Sequence, residues 1–258
     1  MLSTFTSYNM VARNLDRSIA TVKSQPSVKR ETDYYLSKIT TIKSADEFVA
    51  DSRLSNFAMT AFGLKDMAYA KAFIRKILAE GHDDSSAFVN KLADQRYIEF
   101  AKTFDFKRYG EATTSFSAAQ QGVADKYARQ VLETNVGSDN EGVRLALYFQ
   151  RLAPTLTSVT EILADKALSE VARTSLQLPT AFSLTDIDKQ IETLEARLGL
   201  EDFQNPAKLS KFIKRFATLW DVGNAGQNTS PVAMLFNAAQ PRISDSLMAS
   251  LAKLRIRG

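Results

Sequence analysis

Apolar residues recur along this chain at helical spacing, separated by short polar or glycine- and proline-containing breaks, and no segment sustains the period-two alternation of a half-buried strand. Near the start, Ala12, Leu15, Ile19 and Val22 form a stripe that Gln25-Pro26-Ser27 interrupts. Ala50, Leu54, Phe57, Ala58 and Ala61 share one face of a predicted helix, and so do Ala164, Leu168, Val171, Ala172 and Ser175. Further stripes run through Ala70, Phe73, Ile74 and Ile77, through Ala124, Tyr127, Ala128, Val131 and Leu132, through Leu145, Tyr148, Phe149 and Leu152, and through Ile187, Ile191, Leu194 and Leu198. After Trp220, residues 223–231 read as a flexible linker. Ile243, Leu247, Leu251 and Leu254 then form a last amphipathic stripe. The pattern predicts an all-α protein.

The stripes are not independent of one another. Displaced by 114 positions, residues 34–64 align without a gap on residues 148–178, with eleven of 31 positions identical. The identities include Tyr34/Tyr148 and Asp51/Asp165 as well as the commoner alanines, serines and leucines. Both segments open with a capping box, Ser44-Ala-Asp-Glu47 and Ser158-Val-Thr-Glu161, in which the serine hydroxyl accepts from the first-turn backbone and the glutamate reaches back. Gly63 suits a left-handed helix end, and Gln177 occupies the matching place before Pro179. At an offset of 112, Phe100, Lys102 and Phe104 match Phe212, Lys214 and Phe216, with Asp94 and Asn205-Pro206 as helix starts. The expected organisation is an N-terminal helical arm (1–43), a first helical unit (44–106), a connector helix (107–139), a second unit (140–221) and a linker with a C-terminal helix (222–258). Residues 44–106 and 158–221 are expected to superpose as three-helix units. Stacked helical units build scaffolds and do not by themselves make chemistry.

Charge and composition narrow the function further. The net charge is +4, with the basic excess at the two ends. Residues 1–44 hold seven Lys or Arg against three acids, and residues 222–258 hold four against one. Without a recognisable nucleic-acid-binding motif, these charges read as solvated helix faces or as docking points for an acidic partner. There is no cysteine, which excludes disulfides, thiolate metal sites and a cysteine nucleophile. No run of apolar residues is long enough to span a bilayer, and the first residues lack the basic and apolar regions of a cleavable signal.

Candidate chemistry is sparse. His82, the one histidine, lies beside Asp83 and Asp84 in a polar segment that reads as a solvated turn supplying too few ligands for a metal. No phosphate-binding glycine loop, dinucleotide fingerprint or EF-hand spacing is present, so no catalytic residue, metal or cofactor is expected. Asp51 and Asp165, each beside an apolar stripe, are expected to serve structure, by pairing with an arginine (Arg53 or Arg96 for Asp51) or by capping backbone. Ser44, Glu47, Ser158 and Glu161 are the other structural polar candidates. Leu15, Ile19 and Val22, with Ile243, Leu247, Leu251 and Leu254, are the candidate partner-binding residues, expected to bury their stripes on a partner or on each other.

Several strings carry a resemblance. Ala45-Asp-Glu-Phe-Val-Ala-Asp-Ser-Arg-Leu54, Ala61-Phe-Gly-Leu64, Leu92-Ala-Asp-Gln-Arg-Tyr97, Asn140-Glu-Gly-Val-Arg-Leu-Ala-Leu-Tyr-Phe-Gln-Arg151 and Ile162-Leu-Ala-Asp-Lys-Ala-Leu168 are similar to the bacterial domain-of-unknown-function family number 1217. The similarity runs over about residues 8–222. Members of that family occur largely in alphaproteobacteria and tend to be encoded among flagellar genes, and the family has no established activity. The resemblance implies a link to the flagellum. The expectation is therefore a non-enzymatic flagellar structural or assembly protein, exported by the type III pathway without a cleaved signal, with protein partners and possible self-association. The alternative is a cytoplasmic adaptor or export chaperone for flagellar proteins.

Overall fold

The computed structural model of the protein describes residues 2–224; most of the expected linker, and the stripe of Ile243, Leu247, Leu251 and Leu254, lie outside the described residues. Among the described residues there are helices and no strands. In chain order they are α1 (Thr4–Arg13), α2 (Leu15–Lys23), α3 (Pro26–Ile39), α4 (Ala45–Ala50), α5 (Ser52–Ala61), α6 (Lys71–Glu80), α7 (Gln95–Thr103), α8 (Phe106–Tyr109), α9 (Gln121–Asp139), α10 (Glu141–Leu152), α11 (Val159–Ala164), α12 (Lys166–Ser175), α13 (Ile187–Glu195) and α14 (Pro206–Gly223). Several are joined by short 3-10 turns. Leu2–Trp220 form one compact body.

The helix starts follow their capping residues. Pro26 and Pro206 sit at the first turns of α3 and α14, where a missing amide hydrogen costs nothing. Asn205 accepts from the Ala207 and Lys208 amides at the start of α14, and Asp94 accepts from the Arg96 amide at the start of α7. Ser44 accepts from the Glu47 amide at 3.2 Å, and Glu47 reaches back to the Lys43 amide, one residue before the cap. At Ser158 the pattern shifts: its hydroxyl accepts from the Thr160 amide, while Glu161 accepts from the Thr157 hydroxyl.

The single stripe read across Ala50–Ala61 is in fact two helices. The backbone of Asp51 is extended (φ −78°, ψ 92°), so α4 ends and α5 begins there. Asp165 (φ −109°, ψ 117°) divides α11 from α12 in the same way. Spacing alone misses these breaks because the chain resumes its helical phase after one residue. At the far ends, Gly63 (φ 71°) and Gln177 (φ 54°) both adopt the left-handed conformation. The Leu64 amide donates to the Met59 carbonyl, and the Leu178 amide to the Arg173 carbonyl, which closes both helices with the same long-reach bond.

Two large apolar clusters and a small third one fill the body. Of the large ones, one gathers Tyr35, Phe48, Leu54, Phe62, Phe100 and their neighbours from α3 to α9; the other gathers Tyr8 with residues of α10 to α14. The long α9 packs against α2, α3, α5 and α10. That setting explains why it buries Val123, Ala124, Ala128 and Leu132 while Tyr127 stacks on Phe57, which in turn stacks on Tyr35. Close approach is decisive at Gly142 in α10, where a Cβ would lie 2.5 Å from the Trp220 ring. The expected N-terminal arm is part of the packing. Val22 is buried beside Val28 and Leu132, with Leu15 and Ile19 half-buried on the same cluster. Their stripe faces α9 of the same chain.

Candidate functional site

Asp51 and Asp165 each do three things with one carboxylate. In α5, Asp51 Oδ1 accepts from the Arg53 and Leu54 amides at 3.1 and 3.0 Å, and Oδ2 accepts from the Tyr34 hydroxyl at 2.8 Å. In α12, Asp165 Oδ1 accepts from the Ala167 and Leu168 amides at 2.8 and 3.1 Å, and Oδ2 accepts from the Tyr148 hydroxyl at 2.6 Å. Each tyrosine stands 17 residues before its aspartate. The carboxylate therefore breaks one helix, starts the next and ties both to the preceding helix.

Their surroundings differ. Asp165 is 5% exposed and lies 3.6 Å from Arg96 Nη1, whereas Asp51 is half-buried. Arg96 also grips Asp94 through Nε and Nη2, and donates to the Gly63 carbonyl at 3.0 Å and to Tyr148 at 3.4 Å. Burial by itself would pull the Arg96 guanidinium down, but its hydrogen bonds to Asp94 and the charges around it outweigh that and hold its pKa above the ordinary value. For Tyr148, burial first and the charge of Asp165 second push the phenol up. Arg53, in contrast, pairs with Glu31 and lies over the Tyr34 ring, 3.9 Å from its centroid.

A second charged cluster lies nearby. Glu133, 1% exposed in α9, accepts from Arg129 at 2.8 Å and takes a two-pronged contact from Arg151 of α10 at 3.0 and 2.9 Å. A buried carboxylate between two arginines is compensated on both sides, and removing it strands two cations. Arg129 and Arg151 border a cleft of about 640 Å³ between α7 and α9 on one side and α10, α11 and α12 on the other. Arg96, Lys126, Arg129 and Arg151 line it together with Glu99 and Asp165. Lys126 pairs with Glu99, so much of the lining charge is already matched. The arrangement offers hydrogen-bonding edges of both signs beside the apolar Leu152, Leu156 and Leu168.

Comparison with known proteins places this geometry in a family. The sequence pattern of DUF1217, a protein family of unknown function, matches residues 61–209, more than half of the chain. The chain belongs to DUF1217. A crystal structure of an Agrobacterium tumefaciens protein is similar to it, with 48% sequence identity and a TM-score of 0.80 over 87% of this chain and 97% of that one. No curated protein matches.

In this DUF1217 protein the expected polar residues land at helix starts. Asp51, Asp165, Ser44 and Ser158 all cap, and Glu47 and Glu161 close the backs of their caps. The arginine expected beside Asp51 is turned elsewhere: Arg53 goes to Glu31, and Arg96 to Asp94 and Asp165. Helical spacing does not reveal the tyrosine partners, the Arg129–Glu133–Arg151 cluster or the cleft itself. The signal for the tyrosines was present, since Tyr34/Tyr148 and Asp51/Asp165 recur together in the self-alignment. His82 is not a freely solvated side chain either. It is 20% exposed and its ring faces the buried Asp105.

Proposed function

We propose that this DUF1217 protein is a non-enzymatic structural or assembly component of the bacterial flagellum, exported without a cleaved signal. The observation that carries the scaffold part of this reading is the pair of Asp51 and Asp165 caps. The polar residues that recur at a fixed offset are engaged in holding helices together, as a load-transmitting body requires. The flagellar part rests on the family and on the resemblance described above. The absence of cysteine suits a chain threaded unfolded through a secretion channel. Among the described residues no helix is long and apolar enough to cross a membrane. The matching Tyr–Asp–cap arrangements at α4–α5 and α11–α12 also support an internally duplicated body, which Cα superposition of residues 44–106 on 158–221 tests.

The experiment is mass spectrometry of purified hook–basal bodies and culture supernatant from a strain carrying a tagged copy, alongside motility of a deletion strain. Recovery in either fraction with impaired swimming supports the reading. A tagged protein retained entirely in the cytoplasm, with motility impaired, favours the second reading of an adaptor or export chaperone. Normal swimming and absence from both fractions sink both.

A further inference from the structure

Four buried side-chain polar atoms lack a hydrogen bond among the described residues, and two of them face each other: His82 Nδ1 and Asp105 Oδ2, 3.3 Å apart. Asp105 is 1% exposed, and its other oxygen is occupied by the Arg108 amide at the start of α8. The spacing is long for a charge-assisted N–H···O bond, which closes to about 2.7–2.9 Å. It is instead the separation of about 3.3 Å that two ligand atoms adopt when each sits about 2.0–2.1 Å from one tetrahedral ion. Asp83 supplies a third ligand atom, all three lying within 4.8 Å of one another. Its half-exposed carboxylate lies with Oδ1 3.5 Å from His82 Nε2, the other ring nitrogen, and has to turn to join Asp105 at Nδ1. The turn that brings His82 over Asp105 depends on Gly81, whose φ is +63° and whose missing Cβ would lie 3.0 Å from Asp105 Oδ1.

We infer that His82, Asp83 and Asp105 form a binding site for one divalent transition-metal ion of the Zn²⁺ class, with water as the fourth ligand. An imidazole with two carboxylates selects Zn²⁺, Co²⁺ or Ni²⁺ over the all-oxygen preference of Mg²⁺ and Ca²⁺. The ion would pin the segment after α6 to the start of α8. Arg108 is its competitor: Nη1 lies 3.5 Å from Asp83 Oδ1 and holds that carboxylate outward.

The test titrates the tag-free full chain with Zn²⁺ by calorimetry and with Co²⁺ by visible absorption. The expected result is one ion per chain, with a Kd of about 10 µM or tighter. His82→Gln abolishes binding, Asp83→Asn weakens it about 100-fold, and Arg108→Gln tightens it several-fold. Asp83 and Arg108 are about half-exposed, so those two variants carry the test even where His82→Gln does not fold. Failure of the wild-type chain to bind a stoichiometric ion overturns the proposal. So does binding that is indifferent to His82→Gln, or to both Asp83→Asn and Arg108→Gln.

Discussion

The α4–α5 pair and the α11–α12 pair share the hydrogen bonds of their central aspartates and differ in surroundings. Each is broken by an aspartate that caps the second helix and receives a tyrosine hydroxyl. At Asp165 the arrangement is buried and Arg96 stands behind it; at Asp51 it is half-buried, and the nearest arginine has gone to Glu31. An identical bonding diagram therefore has two different energies. At the exposed version water stands ready to replace a lost partner. At the buried one a lost partner is left unreplaced.

Breaking the caps gives the largest expected difference. Asp165→Ala uncaps α12, leaves the Tyr148 hydroxyl buried without its acceptor and removes one acid from Arg96, a loss of about 3 kcal/mol. Asp51→Ala removes a cap whose tyrosine can turn to water, a loss of about 1 kcal/mol. Urea unfolding of the two variants checks this, and equal losses would falsify the idea that burial separates the pairs.

The arginines sharpen the contrast at smaller amplitude. Arg96→Ala unties Asp94, the Gly63 carbonyl and Asp165 together, with an expected cost of about 2 kcal/mol. Arg53→Ala removes an exposed pair, and its melting temperature should stay near that of the parent. A thermal-melt shift as large for Arg53→Ala as for Arg96→Ala contradicts the assignment.

Alkaline titration separates the tyrosines. Burial, then the Asp165 charge, raises the Tyr148 pKa above its ordinary 10.0. A raised folded pKa means that the unfolded chain releases its proton first. The stabilisation is present below about pH 10 and is lost as pH climbs toward the folded value. Tyr148→Phe should therefore flatten the alkaline limb of the stability curve. Tyr34 is raised chiefly by its hydrogen bond to Asp51 and is only half-buried, so Tyr34→Phe should alter that limb less. Buried Tyr8, pushed up to about 12, contributes a background common to both variants.

The smallest effect lies at the helix ends. Gln177 holds a left-handed backbone that glycine holds at position 63. Gln177→Gly should be neutral to stabilising by up to about 1 kcal/mol, and Gly63→Gln destabilising by a similar amount. Denaturant midpoints that move the opposite way would show that side-chain contacts of Gln177 dominate its backbone strain.

Much of this architecture is legible in the sequence. Helical spacing located most helices, and Ser44, Asp94, Ser158 and Asn205-Pro206 marked their starts, because caps and periodicity are local. The breaks at Asp51 and Asp165 were hidden, since one extended residue leaves the apolar phase almost intact. Long-range pairings were hidden for a different reason. Arg151 meets Glu133 across a helix–helix packing, and Asp105 lies far along the chain from His82, so no spacing rule joins them. The Leu15–Val22 stripe was seen as apolar, but α9 supplies its cover, and only the tertiary arrangement tells that from a free surface.

The Tyr–Asp ties also bear on the order in which the chain acquires its form. Each closes only 17 residues, whereas the Arg96 bonds to Gly63 and Tyr148 span 33 and 52. Loop-closure entropy favours the shorter links, so each helix pair has a nucleus of its own available before the two are joined. Arg96 then acts as a latch that shuts late. A chain built this way dismantles in the reverse sequence, parting first between its halves and only afterwards within them.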